Sequence, residues 1–387
     1  MKKSLIIGGS NGIGLSVALE LAKEDNAIIN IVDKSEPDID LGQYGNISYQ
    51  KVNLLDNDFS FLEQYKDIDT LIITAGFGRV TKFETILEEE ISNSFQVNSI
   101  SVIKTLSFFF KRMQKKEEFR CLVMGSIAGI VSSPLFALYG ATKAAVCNVT
   151  ESLNIELEMS GTENRILNVS PGSIKGTKFN GGANNLAQTQ ELAKQIIAEM
   201  NNHHTLFIPQ YEETFKDVIQ RYREDAHQYG LDSYQYKMNC GRFNNKPQIK
   251  IGYLSGTFDL FHIGHLNLLR RAKQYCDYLV VGVHKDASHK GKETFIPFEE
   301  RVEIVRNCKY VNKVIQSERE DCDVYLKDIV KYDYLFVGSD YKGTERFNRY
   351  EELFKDKGVQ IIYFPYTKGT SSTQLRKAIE NIKRCNV

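Results

Sequence analysis

The sequence lacks the features that mark membrane-spanning, secreted or nucleic-acid-binding proteins. Its 49 basic and 49 acidic residues cancel, so no overall field favours nucleic acid or an anionic membrane. No apolar run approaches the roughly 20 residues that a bilayer-spanning helix needs. The seven cysteines form no CxxC pair and leave an odd count, which argues against a disulfide framework or a zinc site. We therefore expect a cytoplasmic protein that binds neither nucleic acid nor a structural metal and does not insert into membranes.

The chain is long enough for two or three domains, since it has 387 residues of globular composition. Short apolar strands alternate with helical stretches in both halves, which predicts parallel sheets with helices on both faces. Residues 209–248 contain five tyrosines among many charges, too aromatic for a floppy linker, and 214–228 has helical character. The predicted fold class is α/β, with two doubly wound, Rossmann-like domains over 1–208 and 249–387 and a partly helical connector over 209–248.

A glycine-rich turn follows the first predicted strand, Ser4 to Ile7. It reads Gly8-Gly9-Ser10-Asn11-Gly12-Ile13-Gly14 and leads into a helix. Strand, glycine turn and helix open a dinucleotide-binding unit, because the backbone can approach a pyrophosphate at the helix N-terminus. Asp33 ends the second strand, where a carboxylate accepts hydrogen bonds from ribose hydroxyls and repels a 2′-phosphate. This favours NAD(H), although the adjacent Lys34 leaves NADP(H) open.

Tyr139 and Lys143 lie four residues apart, so their side chains share one face of a helix. Tyrosine titrates near ~10 and needs a neighbouring ammonium to exchange a proton at neutral pH. Ser126, after the fifth strand, is placed to hydrogen-bond a substrate oxygen. This set suits hydride transfer at a carbon bearing oxygen, with Tyr139 as the general acid/base.

Together these motifs resemble the short-chain dehydrogenase/reductase family over roughly residues 1–208. The turn matches its TGxxxGIG pattern with Ile7 in place of Thr, and Thr74-Ala75-Gly76 stands for its NAG. The resemblance implies that Asn98, Ser126, Tyr139 and Lys143 are catalytic, and that Lys178 to Gln190 replaces a mobile substrate lid. The implied cofactor-binding residues are Gly8, Ser10, Asn11, Gly12, Ile13, Gly14, Asp33, Asn53, Leu54, Ala75, Gly76, Pro171, Gly172, Ile174 and Thr177.

The second half is organised around GTFDLFHIGH, residues 256–265, which follows an apolar strand predicted over 249–254. His262 and His265 lie three apart at the start of a helix, where N–H groups and a partial positive charge favour phosphate. Two imidazoles there can donate hydrogen bonds to a phosphoryl group as charge builds on it. Helices are predicted over 264–275, 298–307, 321–331, 346–357 and 372–383.

This stretch resembles the HxGH signature of nucleotidyltransferases, and more closely the glycerol-3-phosphate cytidylyltransferase branch. Gly369 to Arg376 is similar to the family's ISSTxIR/K motif, with Thr370 where Ile is common. The resemblance implies in-line attack of a phosphate monoester on the CTP α-phosphorus, with magnesium carried by the triphosphate. Beside catalytic His262 and His265, the implied nucleotide and substrate residues are Gly256, Thr257, Phe258, Asp259, Lys290, Lys292, Arg301, Asp340, Thr370, Ser371, Ser372, Thr373 and Arg376.

Two reaction centres on one chain suggest consecutive steps. A ketose phosphate is reduced to a polyol phosphate, which CTP converts to a CDP-polyol of the kind used for capsules and teichoic acids. The motif branch favours glycerol phosphate, whereas a dedicated reductase favours a rarer polyol such as ribitol 5-phosphate. Alternatives are a reductase for a nucleotide-linked sugar or other carbonyl, and a non-catalytic NAD-sensing domain. Both resemblances imply a homo-oligomer, a dimer or tetramer.

Overall fold

The computed structural model describes residues 2–180, 183–241, 243, 249–286, 293–365 and 374–375. The chain divides into two compact units, Met1–Gln248 and Ile249–Val387, so residues 209–248 fall within the first unit. None of the helices in the described ranges is long and apolar enough to cross a membrane.

In the described part of the first unit, seven parallel strands form one sheet in the order β3-β2-β1-β4-β5-β6-β7. The chain reverses its direction of growth between β1 and β4, which makes their carboxyl ends the switch point where ligands bind in such sheets. The strands are β1 (Lys2–Ile7), β2 (Ala27–Asp33), β3 (Ile47–Lys51), β4 (Thr70–Ile73), β5 (Arg120–Met124), β6 (Ile166–Val169) and β7 (Leu206–Phe207).

Successive side chains of a strand point to opposite faces of the sheet, and in these strands both sets are apolar. Helices therefore cover both faces. In β1, Leu5 and Ile7 join a buried cluster with Phe109 on one face, and Ile6 joins a second cluster with Leu15 on the other. The helices are α1 (Gly12–Leu21), α2 (Glu88–Phe95), α3 (Ser101–Met113), α4 (Ala137–Met159), α5 (Leu186–Asn201), α6 (Lys216–Glu224) and α7 (Ala226–Asn239).

The described part of the second unit repeats the scheme with five parallel strands in the order β10-β9-β8-β11-β12. Its switch point lies between β8 and β11. The strands are β8 (Ile251–Gly256), β9 (Tyr278–Val283), β10 (Lys313–Gln316), β11 (Tyr334–Gly338) and β12 (Gln360–Phe364). The helices are α8 (Ile263–Lys273), α9 (Phe298–Arg306), α10 (Asp321–Leu326) and α11 (Glu345–Phe354).

The predicted fold class is confirmed, and the differences concern element ends. The helix expected over 214–228 is divided, because Asp225 is extended and its carboxylate accepts the Gln228 N–H, starting α7 afresh. The helix expected over 321–331 ends at Leu326, since Asp328 adopts a left-handed φ of 56°. The stretch expected as a lid to Gln190 already enters α5 at Leu186. The helix expected over 372–383 lies mostly outside the described residues.

Candidate active sites

The glycine turn after β1 lies directly against the end of β4 at the first switch point. Gly8 has a φ of 93°, and a Cβ there would come within 2.3 Å of Ala75 N. A Cβ on Gly14 would come within 2.3 Å of the Gly8 carbonyl oxygen and 2.4 Å of Thr74 Oγ1. The Thr74 hydroxyl donates to that same carbonyl at 2.9 Å. The backbone therefore forms a side-chain-free cradle at the start of α1, which fits a dinucleotide pyrophosphate.

Asp33 at the end of β2 is fixed beside this turn. Its carboxylate accepts hydrogen bonds from Ser10 N at 3.1 Å and Ser10 Oγ at 2.7 Å, and Asn11 Nδ2 donates to the same hydroxyl at 3.1 Å. After β3, Asn53 Oδ1 accepts the Leu55 N–H at 3.2 Å, and Leu54 is buried. The residues predicted for the adenosine side thus share the carboxyl edge of β1, β2 and β3.

Thr177 and Asn184, two residues that precede α5, lie against the glycine turn. Gly12 N donates to Asn184 Oδ1 at 3.0 Å, and a Cβ on Gly12 would lie 3.5 Å from Thr177 Cγ2. Lys178, next to Thr177 in the chain, forms an ion pair with Asp38 at 2.7 Å. An amide oxygen therefore occupies the place at the α1 N-terminus that suits a phosphate oxygen.

Asn98 lies in a π-helical turn, Gln96–Ile100, that joins α2 to α3 without interrupting the helix. Its Oδ1 accepts the Phe77 N–H at 3.0 Å, and its Nδ2 donates to Phe77 O at 2.8 Å and Thr142 Oγ1 at 3.0 Å. π-turns of this kind occur often at functional sites. Asn98 consequently joins the segment after β4 to α4, between Tyr139 and Lys143.

Lys143 is almost completely buried, with 2% of its surface exposed. Its Nζ donates to Met124 O at 2.8 Å and lies 5.7 Å from the centre of the Tyr139 ring. A Cβ on Gly76 would lie 3.3 Å from the same nitrogen. Burial lowers the pKa of Lys143 to about 8, because the charged form loses hydration.

Tyr139 is held by packing around its ring. Phe136 stacks on it at 4.3 Å between ring centres, and Phe179 lies at 5.2 Å. A Cβ on Gly78 would come within 2.5 Å of Tyr139 Cδ2, so only glycine allows this approach. Phe136, Phe179 and Gly78 were not among the residues predicted from the sequence, although the close spacing of Gly76 and Gly78 was a signal for the second glycine.

Ser126 and the segment after β6 form the next part of the site. The Ser126 hydroxyl donates to Pro171 O at 3.4 Å and accepts the Ala128 N–H at 3.2 Å. Thr177 Oγ1 donates to Ile174 O at 3.1 Å, which closes the turn after Gly172. The structure thus brings Ser126 next to the predicted nicotinamide side.

A pocket of about 330 Å³, including its open mouth, adjoins Tyr139. Its lining includes Arg79 and Glu90, whose side chains are each only 5% exposed. Arg79 Nε and one terminal nitrogen donate to the two Glu90 oxygens at 2.8 and 2.7 Å, and the other terminal nitrogen donates to Thr81 Oγ1 at 2.7 Å. This bidentate pair, also missed from the sequence, neutralises the charge of the pocket wall.

The shifted pKa of Lys143 predicts a pH limit on hydride transfer. The Lys143 ammonium, which is predicted to favour the Tyr139 phenolate, is lost as the pH rises through about 8, so we expect kcat/KM for the predicted reduction to fall above that value. Rates from pH 6 to 10, with ¹³C NMR of the Lys143 Cε assigned against Lys143→Met, measure both quantities. If the pKa of Lys143 were found at the ordinary value of 10.5, this explanation would be contradicted regardless of how the rate varies with pH.

In the second unit, the motif after β8 has a strained backbone. Phe258 and Leu260 have φ values of 50° and 49°, which are unfavourable for residues with a Cβ. Phe258 is buried, and its ring lies 5.3 Å from that of His265. Strain of this kind persists only where the surroundings fix it, and it turns the chain into the start of α8.

His262 is the N-cap of α8, and His265 lies one turn on. His262 Nδ1 accepts the Gly264 N–H at 3.0 Å, and His265 Nδ1 accepts the His262 N–H at 3.3 Å. The two rings stack with centres 4.0 Å apart. Because each Nδ1 is an acceptor, the proton of each neutral ring is assigned to Nε2. Burial lowers the pKa of His262, which favours this neutral form.

Asp259 and Arg301 join the loops around this motif. Asp259 Oδ1 accepts the Phe295 and Ile296 N–H groups at 3.1 and 3.0 Å. Arg301 is fully buried and donates to the carbonyls of Thr257 at 2.5 Å, His284 at 2.8 Å, Lys285 at 2.7 Å and Ile296 at 2.9 Å. These bonds give Arg301 a structural part in the site, which local sequence could not indicate.

We expect Arg301→Met to destabilise the second unit by at least about 3 kcal/mol, because four carbonyls lose a charged donor. Thermal unfolding measures the change as a drop of roughly 10 °C in the midpoint. Arg306→Met is the matched control on the same helix, since its partner Glu303 is exposed. Unchanged stability with a raised KM for CTP would instead make Arg301 a direct ligand.

Asp340 lies after β11 in the exposed turn Ser339–Tyr341, at the same edge of the sheet as the motif after β8. In the described part of the chain, no group of three or more His, Cys, Asp or Glu side chains is arranged to hold a metal ion. The remaining predicted nucleotide-binding residues lie outside the described residues: Lys290, Lys292, Thr370, Ser371, Ser372, Thr373 and Arg376.

Comparisons with known proteins divide along the same boundary. The short chain dehydrogenase family matches residues 2–188, and the cytidylyltransferase-like family matches residues 253–378. The glycerol-3-phosphate cytidylyltransferase of Bacillus spizizenii is 37% identical over 131 residues, covering 33% of this chain and 95% of that protein. The uncharacterized oxidoreductase YvrD of Bacillus subtilis is 30% identical over 182 residues, covering 44% and 68%. A short-chain dehydrogenase structure from Streptomyces avermitilis, 19% identical, shares the fold with a TM-score of 0.50, covering 61% and 99%.

Two switch-point sites, one with a buried lysine beside a tyrosine and one with paired histidines at a helix start, define a two-site nucleotide-binding α/β enzyme. The chain belongs to the short-chain dehydrogenase family through its first unit and to the cytidylyltransferase-like family through its second. It is a bifunctional enzyme, an oxidoreductase fused to a nucleotidyltransferase of the glycerol-3-phosphate cytidylyltransferase type.

Proposed function

We propose that this enzyme reduces a ketose phosphate to a polyol phosphate with NAD(P)H and then joins the product to CTP. The observation that carries this proposal is the presence of a carbonyl-reducing family and a polyol-phosphate-activating family on one chain. In the first step, the carbonyl carbon gains a hydride and its oxygen a proton. In the second, a phosphate oxygen bonds to the CTP α-phosphorus and pyrophosphate leaves. The product is a CDP-polyol.

For reduction, Tyr139 is the proposed proton donor to the carbonyl oxygen, and Ser126 its second hydrogen-bond donor. A bound nicotinamide supplies the hydride. Lys143, 5.7 Å from the phenol ring, stabilises the phenolate that remains after proton transfer. Asn98 acts as a positioning residue, because its amide holds Phe77 and Thr142 on either side of the site. The cradle of Gly8, Gly12 and Gly14, with the other residues predicted for this role, holds the cofactor.

We propose NAD(H) as the preferred cofactor, with NADP(H) as the alternative, because the Asp33 carboxylate stands beside the glycine turn. Asp33→Asn keeps an oxygen acceptor for Ser10 and removes the charge that repels a 2′-phosphate. We expect the ratio of kcat/KM for NADPH to that for NADH to rise roughly tenfold. Steady-state rates with both cofactors measure this, with exposed Asp25→Asn as the control. An unchanged ratio would remove Asp33 from cofactor selection.

For cytidylyl transfer, His262 and His265 are proposed to donate Nε2–H groups to the phosphates of CTP as charge builds in the transition state. Both Nδ1 atoms already accept backbone N–H groups, which supports this tautomer. The α8 N-terminus adds its partial positive charge. Gly256, Thr257, Phe258, Asp259 and Asp340 surround the same edge of the sheet. Magnesium is proposed to enter with the triphosphate, held mainly by phosphate oxygens.

Two proposals differ in the identity of the polyol. Similarity to glycerol-3-phosphate cytidylyltransferases supports glycerol phosphate. Fusion to a reductase supports a polyol phosphate that must be made for the purpose, such as ribitol 5-phosphate. Either CDP-polyol would be made in the cytoplasm and would donate polyol phosphate units for a capsule or wall teichoic acid. Incubation with CTP, magnesium, NADH or NADPH and three- to six-carbon ketose phosphates, followed by mass spectrometry, identifies the polyol. A panel without any CDP-polyol product would refute this function.

Two alternative functions make different predictions. If the reductase acts on a nucleotide-linked sugar, free ketose phosphates are inert and CDP-linked ones are reduced. If the first unit only senses NAD, nicotinamide fluorescence reports binding without turnover. Intact Ser126, Tyr139 and Lys143 speak against the sensor.

We also propose a homo-oligomer, a dimer or tetramer. Apolar side chains are exposed on two long helices of the first unit, namely Ile103 on α3 and Ile155 and Met159 on α4. Exposed apolar surface of this kind often marks contacts between copies.

A further inference from the structure

The connector contacts the reductase unit beside its reacting groups. Phe215 ends the π-helical turn Tyr211–Phe215, and its ring tip lies on the backbone of Gly172. A Cβ built on Gly172 would come within 2.2 Å of Phe215 Cζ and 3.0 Å of Cε1. A residue with a side chain at position 172 would therefore displace this ring.

Gly172 follows Pro171, whose carbonyl accepts hydrogen bonds from Ser126 Oγ at 3.4 Å and Ile127 N at 3.1 Å. Phe215 is thus separated from the acceptor of the proposed catalytic serine by one peptide unit. The Phe215 ring therefore forms a wall along the segment after β6, the one predicted to lie on the nicotinamide side.

Two further contacts hold the connector in this place. Lys237 on α7 donates to Ser133 Oγ at 2.8 Å. Phe243 forms a parallel bridge with Val80 and packs on the buried cluster that contains Tyr139. The connector therefore meets the reductase unit on the serine side, at the loop before α4 and on the tyrosine side. Three separated contacts restrain the connector against the reductase unit more firmly than a single contact would.

We propose that the connector completes the reductase site, and that Phe215 determines which carbonyl substrates fit beside Gly172. A ketose phosphate has a small hydroxymethyl group on one side of its carbonyl and a phosphorylated chain on the other. The Phe215 wall limits the substituent on the unphosphorylated side to about that size. This inference rests on the proposed reduction of ketose phosphates, and it assigns residues 209–248 to the reductase reaction.

The first test is a double-mutant cycle in the full chain. Gly172→Ala alone is expected to lower the midpoint of thermal unfolding and kcat/KM for reduction, because its methyl meets the Phe215 ring. In the Phe215→Ala background the methyl has room. The fold-loss of kcat/KM that Gly172→Ala causes should therefore be at least about fivefold smaller in that background. Additive effects would overturn the contact. The unfolding measurement needs no substrate, so this test stands even if no ketose phosphate is reduced.

The second test measures specificity. Phe215→Ala should raise kcat/KM for ketose phosphates with a longer hydroxyalkyl group, relative to those with hydroxymethyl, by roughly tenfold. Phe215→Tyr should retain the original ratio, and CTP turnover should not change. Tyr236→Ala, on an exposed aromatic of the same connector, is the control. A Phe215→Ala enzyme with lower rates but the original substrate ratio would reduce the ring to a structural role and refute the proposal.

Discussion

Tyr139→Phe should lower kcat/KM for carbonyl reduction by about 10²–10⁴-fold while leaving CTP turnover at its original rate. The phenol hydroxyl is the proposed proton donor, and its ring is held independently of that group. Phe136 and Phe179 pack on the ring at 4.3 and 5.2 Å, so phenylalanine keeps the same contacts. Reduction is followed by nicotinamide absorbance, and cofactor affinity by fluorescence titration.

The matched control removes a tyrosine hydroxyl elsewhere in the same unit. Tyr65→Phe loses a hydrogen bond to Gln50 at 2.7 Å, and neither of these two residues is among the proposed site residues. We expect it to reduce substrate at the original rate. If Tyr139→Phe bound cofactor and also reduced substrate normally, a different group would have to supply the proton.

His265→Ala should lower cytidylyl transfer by roughly 10²–10³-fold and leave reduction nearly unchanged. Its proposed Nε2–H donor is lost, together with the acceptor for the His262 N–H, whereas the bond from the Gly264 N–H to His262 that caps α8 remains. The readouts are pyrophosphate release from CTP and nicotinamide oxidation on the same preparation. His227→Ala, at an exposed connector position, is the control.

His262 requires a different substitution, since alanine would remove both a proposed donor and the helix cap. Asn is a good N-cap residue and keeps an acceptor for the Gly264 N–H. His262→Asn therefore separates the two roles: loss of transfer with unchanged stability points to the imidazole itself. Equal loss of both activities in His265→Ala would contradict two independent reaction centres.

The sequence was sufficient for the fold class because the relevant signals are local. Alternating apolar strands and helices predicted both parallel sheets, and Gly8 to Gly14 predicted a turn that the structure places at the switch point. Tyr139 and Lys143 share a helix, so their spacing alone brought them together. His262 and His265 are likewise near neighbours in the sequence at the start of α8.

The contacts that complete each site join residues far apart in the chain, and no local pattern indicates them. Arg301 reaches the carbonyl of Thr257, and Phe215 lies on Gly172. The π-turn at Asn98 and the break at Asp225 also depend on backbone choices that periodicity does not resolve. For Arg301 the resemblance suggested a phosphate ligand, whereas its hydrogen bonds support the loops; its role toward nucleotide stays a prediction.

In the proposed reaction order, the product of the first site is the substrate of the second. The most direct measurement is an incubation with a ketose phosphate, CTP, magnesium and NADH that carries deuterium at both C4 positions. Mass spectrometry then gives the mass of the nucleotide product. We predict a CDP-polyol carrying one deuterium, with no CDP-ketose formed on the way. Deuterium that enters only when a CDP-linked sugar is supplied would contradict this order, and would place reduction after activation.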